Sequence, residues 1–324
     1  MQQMNVPDTL ESWQQSRQQI RETLWALMGD VPPPFSPHVK TLRITQEDGY
    51  TLRRIVFENG LGAEVPGILL IPDGLKDPAP AVLYQHFHGG KYPIGKDGLF
   101  LAEDATPDGN TLVAQGYVVL AIDAYAFGER QSQGPARTLE TGRETEHSLF
   151  KQFLWEGKTL WGMIVHDDLL ALAYLRSLPQ VDPARIGTTG MSMGASRATW
   201  VAALDDAVKV VIPIAQMTRY ADFAASGNFF YHSFYYYLPG VLRSGLDMEH
   251  LVSLAAPRPQ IILIGDADPL SPAVGVEKIL DYTCQVYALY GQSNHLLVDN
   301  YPGVGHQYTP TMRQAMLDGF RAFL

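Results

Sequence analysis

Arg185-Ile-Gly-Thr-Thr-Gly190-Met-Ser-Met-Gly194-Ala-Ser-Arg197 joins an extended run to a helical one through a single tight turn. Residues 185–189 read as a strand and 195–204 as a helix, with G-x-S-x-G between them. A turn that tight holds its central residue in strained geometry and throws the side chain outward, and glycines two before and two after leave room for it. Ser192 is therefore the candidate nucleophile, and the N–H of Met193, at the start of the helix, is a candidate donor to a developing oxyanion.

A serine hydroxyl is a poor nucleophile until an imidazole takes its proton and a carboxylate orients that imidazole. The acid should follow the serine along the chain, and the base should come last. Gln260-Ile-Ile-Leu-Ile-Gly265 reads as a buried strand running into Asp266-Ala-Asp268-Pro-Leu-Ser-Pro272. Asp268, on the loop beyond the strand with Pro272 opening the next helix, is the predicted acid; Asp266 is the alternative. Whichever of the two is not the acid has an ordinary use as a turn or helix cap. Tyr301-Pro-Gly-Val-Gly-His306 is a turn-rich loop ahead of a helix starting near Pro310, which makes His306 the predicted base.

The second oxyanion donor should leave an earlier strand. Ala81-Val-Leu-Tyr-Gln-His-Phe-His-Gly-Gly90 ends in a glycine pair, and the backbone N–H of His88, or alternatively of Gly89, fits that role. His86 and His88 also spell H-x-H, but no aspartate at ligand spacing accompanies them, so no metal and no other cofactor is expected.

The 324 residues carry a net charge of −10, which disfavours nucleic acid or an anionic membrane as partner. The lone cysteine, Cys284, excludes an internal disulfide and, in its apolar stretch, reads as packing. No leader-like segment or membrane-length apolar run stands out, so the expectation is a cytoplasmic protein.

Trp13, Ile20, Leu24, Leu27 and Met28 recur at helical spacing before Pro32-Pro33-Pro34, predicting a helical extension over 1–34. Short runs at 41–45, 52–58 and 65–71, separated by turn residues, predict an antiparallel entry into the sheet. The runs 81–85, 117–122, 185–189, 208–214 and 260–264 are near-continuously apolar, as strands buried on both faces are, so the centre of the sheet should be parallel. A single α/β domain spanning 1–324 follows, with excursions at 127–160 and 217–251 on the ligand side forming a small cap. The second is dense in aromatics, and Phe230, Tyr231 and Tyr235 are candidate substrate contacts; plain packing of the segment onto the body or a second subunit serves equally.

Taken together these segments resemble the α/β-hydrolase superfamily, and within it the dienelactone-hydrolase-like and acetyl-xylan-esterase-like bacterial esterases. The resemblance rests on Val65-Pro-Gly67, Ala124-Tyr-Ala-Phe-Gly-Glu-Arg130, Asp182-Pro-Ala-Arg-Ile-Gly187, the Gly190 to Gly194 elbow, Ala255-Ala-Pro-Arg-Pro259 and Tyr301-Pro-Gly-Val-Gly-His306. It implies a carboxylic-ester hydrolase with Ser192, Asp268 and His306 as triad. Dienelactone hydrolases proper use a cysteine nucleophile; a serine here points to ordinary small acyl esters. Asp123, Glu129 and Arg130 look like family features too, either orienting substrate or forming a buried ion pair that braces the first excursion. The competing functions are a serine peptidase or other acyl-transfer hydrolase of the same fold, and a non-catalytic relic that binds through the aromatic segment.

Overall fold

The structure, a computed structural model, describes residues 5–101 and 108–324, so the first four residues of the predicted extension lie outside it. Helix α1 (Leu10–Met28) is capped by the Thr9 hydroxyl, which accepts from the Ser12 N–H, and it buries Trp13, Ile20, Leu24 and Met28 on one stripe. It stops at Gly29, with φ 92°, before the proline run is reached.

Strands β1 (Val39–Glu47), β2 (Tyr50–Glu58) and β3 (Glu64–Pro72) form the antiparallel entry. Then follow β4 (Ala79–Gln85), α2 (Asp108–Ala114), β5 (Val118–Ile122), α3 (Arg143–Trp155), α4 (Leu160–Ser177), β6 (Val181–Met191) and α5 (Met193–Leu204). The chain closes with β7 (Val210–Ile214), α6 (Tyr220–Ser226), α7 (Met248–Ser253), β8 (Gln260–Gly265), α8 (Ala273–Leu289), β9 (Leu296–Tyr301) and α9 (Pro310–Phe323).

Among the described residues, nine strands make one sheet in the order β1-β2-β3-β5-β4-β6-β7-β8-β9. Pairings from β5 through β4, β6, β7 and β8 to β9 are all parallel. This is a mostly parallel α/β-hydrolase sheet with an antiparallel N-terminal edge, as the apolar runs predict.

Alternate residues of each central strand supply two cores. Ala81, Leu83, Val118 and Leu120 pack with α1, α4, α5 and α8, while Val82, Tyr84, Val119 and Ala121 pack with α2 and α9. Strand order reverses around β4, whose neighbours are β5 and β6. The loops after β4 and β6 therefore flank the crevice where such sheets bind ligands.

Both excursions depart from the same end of the sheet. The first holds α3; the second holds α6, three short 3-10 turns and α7. They meet where Phe234 packs on His147 and Phe150, with ring centroids 4.3 and 5.3 Å apart.

Buried ion pairs lock the crevice's supports. Arg197 on α5 grips Asp168 on α4 through two bonds of 2.8 and 2.7 Å, with both side chains fully buried. Breaking such a pair costs roughly 3–5 kcal/mol, because the surviving charge is stranded. Asp123 and Arg130 brace the first excursion, as one reading of them anticipates, though Glu129 and Arg130 do not pair with each other. Arg130 binds Asp167 at 2.7 Å and lies over the Tyr125 ring. Buried Lys96 bridges Asp123 at 2.8 Å and Glu129 at 2.6 Å.

One expectation fails: Cys284 is exposed on α8 rather than packed, its thiol pushed up by partial burial and by Asp281. Its neighbours Tyr282 and Thr283 take the buried positions of that helical turn. Among the described residues, no helix is long and apolar enough to cross a membrane.

Candidate active site

Strand β6 ends at Met191 and α5 begins at Met193, leaving Ser192 alone in the turn with φ 57° and ψ −117°. That conformation is rare for a residue with a side chain and costs of order 1–3 kcal/mol. Its N–H is held by the Ile214 carbonyl at 2.9 Å. The helix starts two residues earlier than its sequence pattern indicates, because Ser192 itself occupies the cap position. Met193 is thus the first helical residue, and its N–H has no acceptor within the helix.

The flanking glycines are required by contact. A Cβ at Gly190 would lie 2.3 Å from the Gln85 carbonyl oxygen, and one at Gly194 would lie 2.1 Å from the same atom. The elbow therefore nests directly on the end of β4, and the same Cβ at Gly194 would lie 3.1 Å from the His86 carbonyl oxygen, so the loop that follows β4 begins against the elbow.

Three predicted residues come together. His306 Nε2 stands 2.8 Å from Ser192 Oγ, and His306 Nδ1 stands 2.7 Å from Asp268 Oδ2. These partners fix the tautomer: Nδ1–H donates to the carboxylate, and Nε2 accepts the serine proton. The Asp268 side chain is 1% exposed, and its other oxygen accepts the Leu270 N–H at 2.9 Å. Asp266 instead accepts the Gly303 N–H at 2.6 Å. It ties the loop carrying His306 to the loop carrying Asp268, the turn-capping role open to the aspartate that is not the acid. The two loops also meet through Ala267 N–H on the Val304 carbonyl at 3.0 Å.

The H-x-H histidines are both committed to protein partners. His86 is fully buried; its Nδ1 bonds the Phe87 carbonyl at 2.9 Å and its Nε2 accepts the Ala124 N–H at 3.1 Å. Burial, reinforced by the charge of Arg197, holds it well below the ordinary imidazole range. His88 Nδ1 accepts the Gly90 N–H at 3.0 Å, and its Nε2 reaches Glu146 at 3.2 Å.

Glu146 has no counterpart among the residues singled out from sequence. Its buried carboxylate takes His88 and, at 2.6 Å, the Tyr92 hydroxyl from the loop after β4, together with the Ser233 hydroxyl from the second excursion. Burial alone would raise its pKa, but the bonds from His88, Ser233 and Tyr92 prevail, and it sits below the usual range. One α3 carboxylate thereby joins both excursions to the loop beside the elbow.

The three aromatic candidates part company. Tyr235 is buried, stacked on His88 with ring centroids 5.1 Å apart and tilted against Trp161. Phe230 and Tyr231 are 91% and 68% exposed. The neighbouring His232, not singled out from sequence, is wedged between Phe223 and Tyr236 at 4.2 and 4.9 Å.

Comparison with known proteins places this geometry in context. The dienelactone hydrolase family matches residues 103–319. The Bacillus subtilis (strain 168) protein named "Putative hydrolase YtaP" is 37% identical over 281 residues, covering 86% of this chain and 90% of that protein. The crystal structure titled "putative acetyl xylan esterase" from Bacteroides fragilis superposes with TM-score 0.75 at 20% identity, over 92% of this chain and 78% of its own. A glucuronoyl esterase from Solibacter usitatus superposes with TM-score 0.72 at 16% identity, over 97% and 93%. At such identities the structural likeness concerns the fold.

Proposed function

This chain belongs to the dienelactone hydrolase family, and we propose that it is a serine carboxylic-ester hydrolase in which Ser192, His306 and Asp268 form the triad. The observation that carries this reading is the unbroken line of two short hydrogen bonds from Ser192 Oγ through His306 to Asp268.

In the proposed cycle His306 Nε2 takes the Ser192 proton as Oγ attacks the ester carbonyl. The tetrahedral oxyanion is held by the N–H of Met193 and by that of His88 or Gly89, each donor being worth about 3 kcal/mol. His306, now an imidazolium paired with ionised Asp268, returns the proton to the leaving alkoxide and leaves an acyl-enzyme on Ser192. Water, deprotonated by the same imidazole, releases the acid and restores the hydroxyl. The substrate is a small-molecule ester.

Ser192→Ala should lower p-nitrophenyl acetate hydrolysis by roughly 10⁴-fold or more, with the unfolding transition unchanged. Near-full activity in that variant would defeat the assignment.

A further inference from the structure

The second excursion lines an open cavity of about 250 Å³ whose walls include Phe223, Phe229, Tyr236, Tyr237, Leu238 and Val241, with Arg243 exposed at its rim. Two hydrogen bonds tie its wall to residues next to the triad. Asn228, next to Phe229, donates to the carbonyl of Pro269 at 3.4 Å, and Pro269 follows Asp268 directly. Gln216 donates to the Tyr236 hydroxyl at 3.4 Å, two residues beyond the Ile214 carbonyl that holds the Ser192 N–H. His232 packs between the wall residues Phe223 and Tyr236, with ring centroids 4.2 and 4.9 Å away. Its Nδ1 is buried without a hydrogen-bond partner.

We propose that this cavity is the subsite for an apolar acyl chain or ring of the ester, so that the preferred substrates are apolar esters rather than sugar acetates. This rests on the serine-esterase reading and names its substrate class. The wall is mostly carbon, with polar groups only on its tyrosines and Arg243, so a sugar placed here would leave most of its hydroxyls without a replacement for the water they lose. An alkyl or phenyl group loses nothing and gains the transfer energy of every buried carbon. Burying one methylene corresponds to roughly a fourfold gain in binding.

The test is a series of p-nitrophenyl esters from acetate to octanoate, with an acetylated sugar alongside, assayed on the wild type, Ala224→Trp and Val241→Trp. Both substitutions fill the cavity from positions outside the proposed triad and oxyanion hole. The expected result is a kcat/KM that climbs by up to about fourfold per methylene in the wild type. The climb should be lost in either folded variant, with p-nitrophenyl acetate hydrolysis little changed and the sugar acetate a poor substrate throughout. A flat chain-length profile in the wild type, a sugar acetate preferred over the long esters, or an equal loss on acetate and octanoate in the variants would overturn the proposal while leaving the esterase reading intact. Should one variant fail to fold, the other carries the comparison. Absence of any ester hydrolysis, together with no fluorophosphonate labelling of Ser192, would remove the esterase reading and this inference with it.

Discussion

Replacing Asp268 by asparagine separates the two aspartates of the 266–268 loop and tests the triad at its least exposed member. The Leu270 N–H already donates to Oδ1 at 2.9 Å, so an asparagine keeps its carbonyl oxygen there and turns its amide nitrogen toward His306 Nδ1. Two donors cannot face each other, and the imidazole must adopt the Nε2–H tautomer. Nε2 then points a proton at Ser192 Oγ, across the present 2.8 Å contact, and cannot accept one. Such a tautomer error in a triad costs about 10⁴ in kcat, or about 5 kcal/mol of barrier. Asp266→Asn, by contrast, weakens only a charge-assisted bond to the Gly303 N–H. That should cost about 1 kcal/mol of stability and leave kcat within about tenfold of wild type. Steady-state hydrolysis of p-nitrophenyl acetate, with thermal unfolding measured in parallel, distinguishes them. A larger rate loss in Asp266→Asn, or a kcat for Asp268→Asn close to wild type, would mean that Asp268 is not the acid.

Gly194→Ala places a methyl 2.1 Å from the Gln85 carbonyl oxygen, so backbone must move. The expected cost is about 1–3 kcal/mol of stability and, since the elbow shifts against the β4 loop, about 10² in kcat; wild-type values of both would contradict the packing argument. Glu146→Ala strands the donors of His88, Tyr92 and Ser233 and should lower stability by about 3 kcal/mol in urea unfolding, with Glu146→Gln losing less because one acceptor oxygen is kept. Equal losses in the two variants would show that the hydrogen bonds are not what holds the excursions. Burial, then the neighbouring His306, pushes His232 down from 6.5 to about 4. Between those values the unfolded chain binds the proton and the folded one does not, so stability falls as pH is lowered through that window, by on the order of 3 kcal/mol in full. His232→Gln should flatten the pH–stability curve there, and an unaltered slope would rule the residue out as its source.

The strands that position the site were legible because each central one is an apolar run closed by turn residues. That pattern follows from burial on both faces and needs no tertiary knowledge. Ser192 and Asp268 were readable for the same reason, each lying just past such a run, whereas His306 follows the half-exposed edge strand β9 and was marked by the turn residues around it. What escaped was closure across the sheet. Glu146 meets its partners 58 and 87 residues away, His88 and Ser233, and no periodicity encodes that meeting. His232 lay inside a segment conspicuous for its aromatics, where ring content drew attention to Phe230, Tyr231 and Tyr235, of which the first two face solvent and the third is buried. Composition marks a segment as apolar, whereas only the fold decides which ring turns inward. Cys284 failed likewise: one position along α8 separates a packed residue from an exposed one.

Whether Ser192 is the nucleophile is decided by incubating the protein with a fluorophosphonate and locating the adduct by peptide mass mapping. The expected result is a single covalent adduct on Ser192 that is absent from Ser192→Ala. No adduct, or an adduct on another serine, would contradict it.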